Sequence, residues 1–298
     1  MEKLSIGIDL GCTHIKAILV RKDGTVLKEH REDTEEHNDQ HWKNAVDRII
    51  KEFKSENQIN AIGLSAPGLA NATNTCIEFM PGRLPGLESF NWSDFTGDRI
   101  YVLNDAHAAL MAEANFGVAK NLKHVVMLTL GTGVGGGILI DGKLYQGVGQ
   151  MAGHLGHVTV DATNSVIDVT NMPGSLEDAI GNLTIKERTK EKFETTWDLV
   201  NAYEAKDSFA TEVWLSSIRK LAVSIASFIN VLSPELVIIG GGISKAEDLL
   251  LKPLNDYLNQ FEWRPGGKQT PIRLAHFSDL AGALGAAGFA LSKINQKL

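Results

Sequence analysis

The stretch VVMLTLGTGVGGG, Val125 to Gly137, joins an apolar, β-branched run to five glycines within seven residues. The run reads as a buried strand, and the glycines as a loop in which side chains would obstruct the backbone. Backbone N–H groups converging in such a loop can hold phosphate oxygens, so the first expectation is a nucleotide site. Gly131, Gly133 and Gly136 also satisfy G-x-G-x-x-G, but the dinucleotide fingerprint opens a helix at its loop. Here Ile138 to Ile140, Asp141-Gly142 and Lys143 to Tyr145 read as strand, tight turn and strand. Gly137 to Lys143 spells most of a P-loop, yet Leu144 stands where Ser or Thr would hold magnesium. Glycines that merely turn a hairpin are the plain structural alternative.

The same order recurs at the N-terminus. Leu4 to Leu10 is an apolar strand, Gly11-Cys12-Thr13 a small-residue loop, Ile15 to Val20 a strand, and Asp23-Gly24 a turn before a third strand over Thr25 to Lys28. A repeated strand, loop and hairpin implies duplicated half-molecules facing each other across a nucleotide.

With 298 residues and 43% hydrophobic content, the chain can form two ordinary domains with real cores. A net charge of -7 and a pI near 5.7 argue against nucleic-acid or anionic-membrane surfaces and leave small molecules as the expected partners. The longest apolar stretch, Leu221 to Leu232, is interrupted by Ser224, Ser227 and Asn230 and reads as a buried helix rather than a membrane span. Met1-Glu2-Lys3 leads into the first strand without a signal-peptide pattern, so a cytoplasmic protein is expected. The two cysteines, Cys12 and Cys76, offer neither a disulfide framework nor a metal cluster.

Further along, the polar run Glu29 to Gln40 reads as a solvated face, His30, His37 and His41 included, and Trp42 to Phe53 as an amphipathic helix. Asn60 to Leu64 reads as a strand ending in Ser65-Ala66-Pro67-Gly68, at the carboxyl edge where open α/β sheets place ligands. Asn71 to Trp92, with Pro81 to Gly86, is long enough for a lid or a rigid surface loop. Ile100 to Leu103 delivers Asn104-Asp105 to a helix start, where Asp105 on its own reads as a cap. Gly147 to Val160 holds His154 and His157, too glycine-rich for a helical zinc pair. Helices are expected from Leu176 and over Glu212 to Val231. The strand Leu236 to Ile239 precedes Gly240-Gly241-Gly242 and a capping box, Ser244-x-x-Glu247, opening a helix through Leu258. Pro271 to Leu274 is a last strand and Ala281 to Lys293 a small-residue helix.

With these segments placed, the sequence resembles the ROK family of sugar kinases and sugar-sensing repressors, within the actin, hexokinase and Hsp70 superfamily. Asp9 to Lys16 is similar to the family's D-x-G-G-T-x-x-K phosphate loop, and Asn104-Asp105 to the pair that opens the helix with its catalytic aspartate. Gly131 to Gly137 is similar to the second phosphate loop, Gly153-x-x-Gly156-His157 to the sugar-binding G-E-x-G-H, and Gly240 to Ile243 to the adenosine loop. The resemblance implies two actin-like (ribonuclease H-like) α/β domains, mixed sheets flanked by helices with an ATP and sugar cleft between them. Residues 1–112 plus 285–298 would form one and 113–284 the other. It implies an ATP-dependent sugar kinase using Mg2+, a homodimer, acting on the 6-hydroxyl of a hexose, hexosamine or glucoside. Asp105 would be the base. Asp9, Gly11, Cys12, Thr13, His14, Lys16, Gly131, Thr132, Gly133, Gly241 and Gly242 would hold the nucleotide, Lys16 by bracing its loop or the cleft rather than by touching phosphate. Gly68, Asn104, Asp105, His154, His157 and Glu177 would hold the sugar.

Departures from the pattern carry their own expectations. Cys12 replaces a glycine and His154 the glutamate of G-E-x-G-H. The zinc segment C-x-C-G-x-x-G-C-L-E falls on Asp168 to Glu177 with all three cysteines missing, so no structural zinc is expected, and Asp168 becomes the candidate partner of His157. A repressor of this family would carry a DNA-binding domain before Asp9, for which the sequence leaves no room. A catalytically weak or inactive sensor is the competing reading, since the departures fall at sites; the retained Asp105 and second loop favour the kinase. An actin-like filament is a third.

Overall fold

The computed structural model describes residues 3–80, 82–165, 167–168 and 170–295. Pro81 and Val169, and the ends 1–2 and 296–298 of the first expected domain, lie outside the described residues. The chain divides into two units: Met1–Asn121 with Gln146–Ala152 and His276–Leu298, and Leu122–Tyr145 with Gly153–Ala275.

In the first unit, the apolar run Leu4–Leu10 forms β1, antiparallel to β2 (His14–Arg21), which pairs with β3 (Val26–Asp33). The strand β3 continues through Glu29 to Asp33, past its expected end at Lys28, so the first part of the polar run is strand. Its burial alternates along the strand, and it lies on the sheet edge, where one face can stay wet. Helix α1 (Asp39–Glu56) follows, capped by the Asn38 side chain on the His41 N–H. It buries Trp42, Val46, Ile49, Ile50 and Phe53 in one cluster with Ile6, Ile8 and Leu64. Strand β4 (Ile59–Ala66) pairs parallel with β1. A short hairpin, β5 (Leu69–Ala70) and β6 (Ile77–Phe79), then opens the long loop. Leu84, Leu87 and Trp92 are buried in the same cluster, so the described part of this loop is anchored rather than a free flap. After α2 (Trp92–Thr96), β7 (Ile100–Asn104) pairs parallel with β4 and leads into α3 (Asp105–Phe116). The sheet order is β3-β2-β1-β4-β7.

The second unit repeats that plan. Strands β8 (Val125–Leu130), β9 (Val134–Ile140) and β10 (Lys143–Leu144) are antiparallel neighbours. Helices α4 (Leu176–Ile180), α5 (Ile185–Arg188), α6 (Thr196–Glu204) and α7 (Ser208–Leu232) precede β11 (Leu236–Gly240). Helix α8 (Asp248–Phe261) then leads to β12 (Ile272–Leu274), and the order is β10-β9-β8-β11-β12. Helix α7 has 25 residues, enough to cross a bilayer by length, and its Trp214, Ile218, Leu221, Ile225 and Ile229 instead pack in this unit's core. The expected capping box at α8 does not form: the Ser244 hydroxyl donates back to the Gly241 carbonyl, and Glu247 sits at φ +46° without a side-chain cap. A one-turn 3-10 segment, Gly242–Ala246, takes up the residues that would have lined the box. The last helix, α9 (Ala281–Asn295), belongs to the first unit, where its small residues Ala283, Ala286, Ala287 and Ala290 are fully buried.

The opening stretch itself is less of a loop than its glycines suggest. Gly135, Gly136 and Gly137 lie inside β9, opposite Thr129, Leu128 and Met127, and only Gly131 to Gly133 turn. None of these glycines has a positive φ. What excludes a side chain is close approach: a Cβ on Gly136 would stand 2.7 Å from the Met127 carbonyl oxygen and 2.8 Å from that of Gly153.

Candidate functional site

In the first unit, Asp9 lies at the penultimate position of β1 and Asp105 directly follows β7, so the two strand ends bring together a pair of carboxylates. The Ser65 hydroxyl, on β4, donates to Asp9 Oδ1 at 2.7 Å. Gly282 at the start of α9 makes room for Asp9, since a Cβ there would lie 2.5 Å from its carboxylate. Burial pushes the Asp9 pKa up, against the pull of Ser65 and Lys16. Asp105 is the first residue of α3, and the cap read into it belongs to Asn104, whose Oδ1 accepts from the Ala106 and His107 N–H groups at 2.9 and 3.2 Å. The Asn104 amide nitrogen donates to the Gly68 carbonyl at 3.0 Å. Asp105 thus keeps its carboxylate available, with one bond accepted from Ala106 N–H at 2.7 Å. Removal from bulk water, then the charge of Asp9, raise the Asp105 pKa to about 6. Its side chain is open to solvent, so the full shift is expressed when a ligand displaces that water.

The loop between β1 and β2 is fastened by Thr34, whose hydroxyl donates to the Gly11 carbonyl at 2.6 Å and whose N–H donates to that of Thr13 at 3.0 Å. Thr13 is exposed at its tip. Cys12 is half-buried, and burial pushes its thiol pKa up while the Arg83 guanidinium pulls it down and Glu36 and Asp105 push it up. Arg83 forks onto Glu36, tying the long loop to the segment after β3. His14 turns to Asp33 at 3.0 Å, and Lys16 pairs with the Asp279 carboxylate and carbonyl ahead of α9.

In the second unit, Glu177 on α4 accepts the Val134 N–H at 2.8 Å and lies against Gly133, where a Cβ would stand 2.3 Å from its Oε2. The turn is fastened by Asn182 and Leu183 N–H groups donating to the Gly131 and Thr132 carbonyls, both at 2.9 Å. Gly241, at φ +85°, packs on Leu130, whose carbonyl oxygen a Cβ would meet at 2.3 Å; Gly242 is exposed beside it. The β11 loop therefore stands next to the β8 turn. His154 begins the 3-10 turn that ends in His157. His157 Nδ1 lies 3.1 Å from Asp168 Oδ2, and His157, Asp168 and Glu177 offer ligand atoms within 4.8 Å of one another.

Residues 5–293 match the sequence profile of the ROK family. The chain belongs to the ROK family. A glucokinase of Thermotoga maritima is 29% identical over 99% of both chains. The crystal structure of a ROK hexokinase from Thermus thermophilus aligns with a TM-score of 0.85 at 26% identity, covering 99% of this chain and 100% of that one. A ROK family glucokinase from Streptomyces griseus, in complex with glucose and AMPPNP, shares the fold with a TM-score of 0.79 at 24% identity, over 97% and 99% of the chains. The fold is accordingly the actin-like ATPase fold of ROK sugar kinases.

Each half of this ROK chain gathers one group of the residues expected from its motifs: Asp9, Gly11, Cys12, Thr13, Gly68, Asn104 and Asp105 in the first, Gly131 to Gly133, His157, Glu177, Gly241 and Gly242 in the second. Lys16 and His14 are turned aside to carboxylates. Sequence reasoning missed Thr34 and Gly282, and it read Ser65 only as part of a turn. Its own cue, a small-residue helix packing closely, could have pointed to Gly282. At the positions of the ROK zinc cysteines stand Asp168, Thr170 and Ser175, all oxygen donors. Thr170 donates to Asp168, and Ser175 accepts from Asp178 N–H. That donor set is occupied within the protein and does not fit a thiolate zinc centre.

Proposed function

We propose that this carbohydrate kinase transfers the γ-phosphate of ATP to a hydroxyl of a hexose, hexosamine or glucoside, the 6-hydroxyl, with Asp105 as general base. The observation that carries the reading is Asp105 itself: a carboxylate at a strand end and helix start whose pKa is raised to about 6, ionised at neutral pH yet a competent proton acceptor. In the transfer the sugar oxygen forms the new bond to phosphorus, its proton passes to Asp105, and the bond from the γ-phosphorus to the bridging oxygen breaks with its electron pair leaving on ADP. Asp9, Gly11, Cys12 and Thr13, with Gly131, Thr132 and Gly133, hold the phosphates through the two turns. Gly241 and Gly242 hold the nucleoside end. Gly68, Asn104, His154, His157 and Glu177 hold the sugar.

The charge of Asp9 pushes the Asp105 pKa up, and an oxygen-ligated divalent cation beside the two carboxylates would relieve that repulsion. Mg2+ entering with ATP would supply charge neutralisation at the phosphates. The reading is tested by ATP-dependent phosphorylation across a panel of hexoses, hexosamines and glucosides, with the product position assigned by NMR. Phosphorylation at carbon 6 is expected. Sugar binding without phosphate transfer to any of them would leave a sensor in place of a kinase, and transfer to another carbon would move the assignment of the acceptor.

A further inference from the structure

We propose that Asp168 is a positioning residue that fixes the tautomer of His157, so that Nε2 of this histidine accepts a hydrogen bond from a sugar hydroxyl rather than donating one. The proposal rests on the reading above that His157 holds the sugar. Asp168 Oδ1 accepts three hydrogen bonds, from the Thr170 hydroxyl at 2.7 Å, the Thr170 N–H at 2.8 Å and the Met172 N–H at 3.0 Å. Oδ2 is left facing His157 Nδ1 at 3.1 Å, and the Asp168 side chain has no exposed surface. Burial alone would push this carboxyl up, but the bonds from Met172, Thr170 and His157 outweigh it and hold the pKa at about 2. Asp168 therefore has no proton to give, and the proton in its contact with His157 sits on Nδ1.

A second geometry agrees. The Thr170 hydroxyl lies 3.4 Å from the same Nδ1. Its one proton is directed at Asp168 Oδ1, so it presents a lone pair to the ring, which again requires a hydrogen on Nδ1. In a neutral imidazole the other nitrogen is then bare. Both hydrogen bonds of this ring run through Nδ1 among the described residues, which leaves Nε2 as its outward contact. A ring held on Nδ1 by a cation would offer Nε2–H instead. The exchange of a cation for Asp168 therefore reverses what His157 reads on a ligand.

The replacement Asp168→Asn is a directed test. The three donors around Oδ1 demand an oxygen there, so the amide NH2 is placed opposite His157 and donates to Nδ1, which moves the ring proton to Nε2. Nitrogen-15 NMR of the full-length protein at pH 8 should show His157 with Nδ1 protonated and Nε2 bare, unchanged by EDTA, and the reverse in Asp168→Asn. Two protonated nitrogens, the opposite tautomer, a shift on adding EDTA, or no change in the variant would each overturn the proposal.

The second arm uses the best sugar and its monodeoxy and monodeoxyfluoro analogues, fluorine being unable to donate. At one carbon both analogues should lose about ten- to a hundred-fold in kcat/KM with wild type, mostly through KM. That penalty for fluorine should shrink at least several-fold in Asp168→Asn, with kcat nearly kept. If the tautomer reverses and no position on the sugar responds, the acceptor role of His157 is overturned while Asp168 still sets the ring. If wild type phosphorylates no sugar, the kinase reading fails, and the tautomer measurement decides the rest.

Discussion

Asp105, the first residue of α3, and Asp168, in the irregular segment ahead of α4, lie in different halves of a duplicated fold, and their carboxyls titrate at about 6 and about 2. Burial pushes both upward; hydrogen bonds decide the outcome. Asp105 accepts one close bond from the Ala106 N–H, is pulled down further only by the Asn104 side chain and its own N–H, and stands near the charge of Asp9, whereas Asp168 accepts from Thr170 twice, from Met172 and from His157. A carboxylate left short of donors is suited to taking a proton, and one saturated with them is suited to holding another group still. The contrast breaks most sharply at Asp105→Asn. Turnover should fall by about a hundred- to ten-thousand-fold with the fold and ATP binding kept, measured by steady-state kinetics and nucleotide titration. A variant with near-wild-type kcat would remove Asp105 from the chemistry.

The same contrast predicts the acid limb of the pH profile. The base must be ionised to work, so wild-type kcat, which reports the substrate-bound site, should fall about tenfold per pH unit below an inflection near 6. The sign for stability is the opposite. In the ligand-bound protein the folded-state pKa of Asp105 is raised, so its ionised form costs stability above pH 6, and that cost shrinks as pH falls from 6 to the ordinary 3.8. Asp105→Asn should therefore raise Tm at pH 8 more than at pH 5. An inflection at or below pH 4 would mean that Asp105 is no better shielded than an ordinary surface carboxylate.

Asp168 supplies the next smaller effect. Its folded-state pKa of about 2 lies below the ordinary 3.8, so its contribution is present above pH 3.8 and lost as pH falls through 2. The difference corresponds to about 2 kcal/mol for this wholly buried side chain. Asp168→Ala should lower unfolding free energy by roughly that amount at pH 7, and the gap from wild type should close between pH 4 and 2. A gap that persists below pH 2 would assign the loss to packing instead of ionised hydrogen bonds.

How much of this could be read from the residues divides along similar lines. Strand β1 and the tight turn at Asp141-Gly142 were legible because continuous apolar runs and turn residues act locally. The sheet order repeats between the halves, as the recurring strand, loop and hairpin implied. The glycines of β9 were misread as loop because the reason for one of them, Gly136, lies at Met127 and Gly153, neighbours that no local pattern reveals. Which of Asn104 and Asp105 caps α3 hangs on a one-residue choice of helix start, since either side chain is a good cap. The expectation that Asp168 partners His157 matches the observed contact, but the direction of the hydrogen bond depends on the orientation of the Thr170 and Met172 N–H groups and was out of reach.

The smallest effect belongs to Lys16, whose motif position suggests phosphate but whose ammonium pairs with Asp279. The lysine side chain is 18% exposed and the aspartate 62%, so water screens the pair from one side. Such half-open pairs contribute roughly 0.2 to 1 kcal/mol. A lysine that bound the transferring phosphate would matter far more, because charge on the moving phosphoryl group is what the site must neutralise. Lys16→Met keeps the aliphatic stem and removes only the charge. As a brace between β2 and the start of α9, it should cost at most about 1 kcal/mol in stability and change the KM for ATP less than threefold. The brace also ends ahead of Gly282, which seats Asp9, so a slight rise in KM is the form any effect should take. A loss of kcat beyond a hundredfold at unchanged stability would place Lys16 on the phosphate and make the observed pairing with Asp279 a resting position.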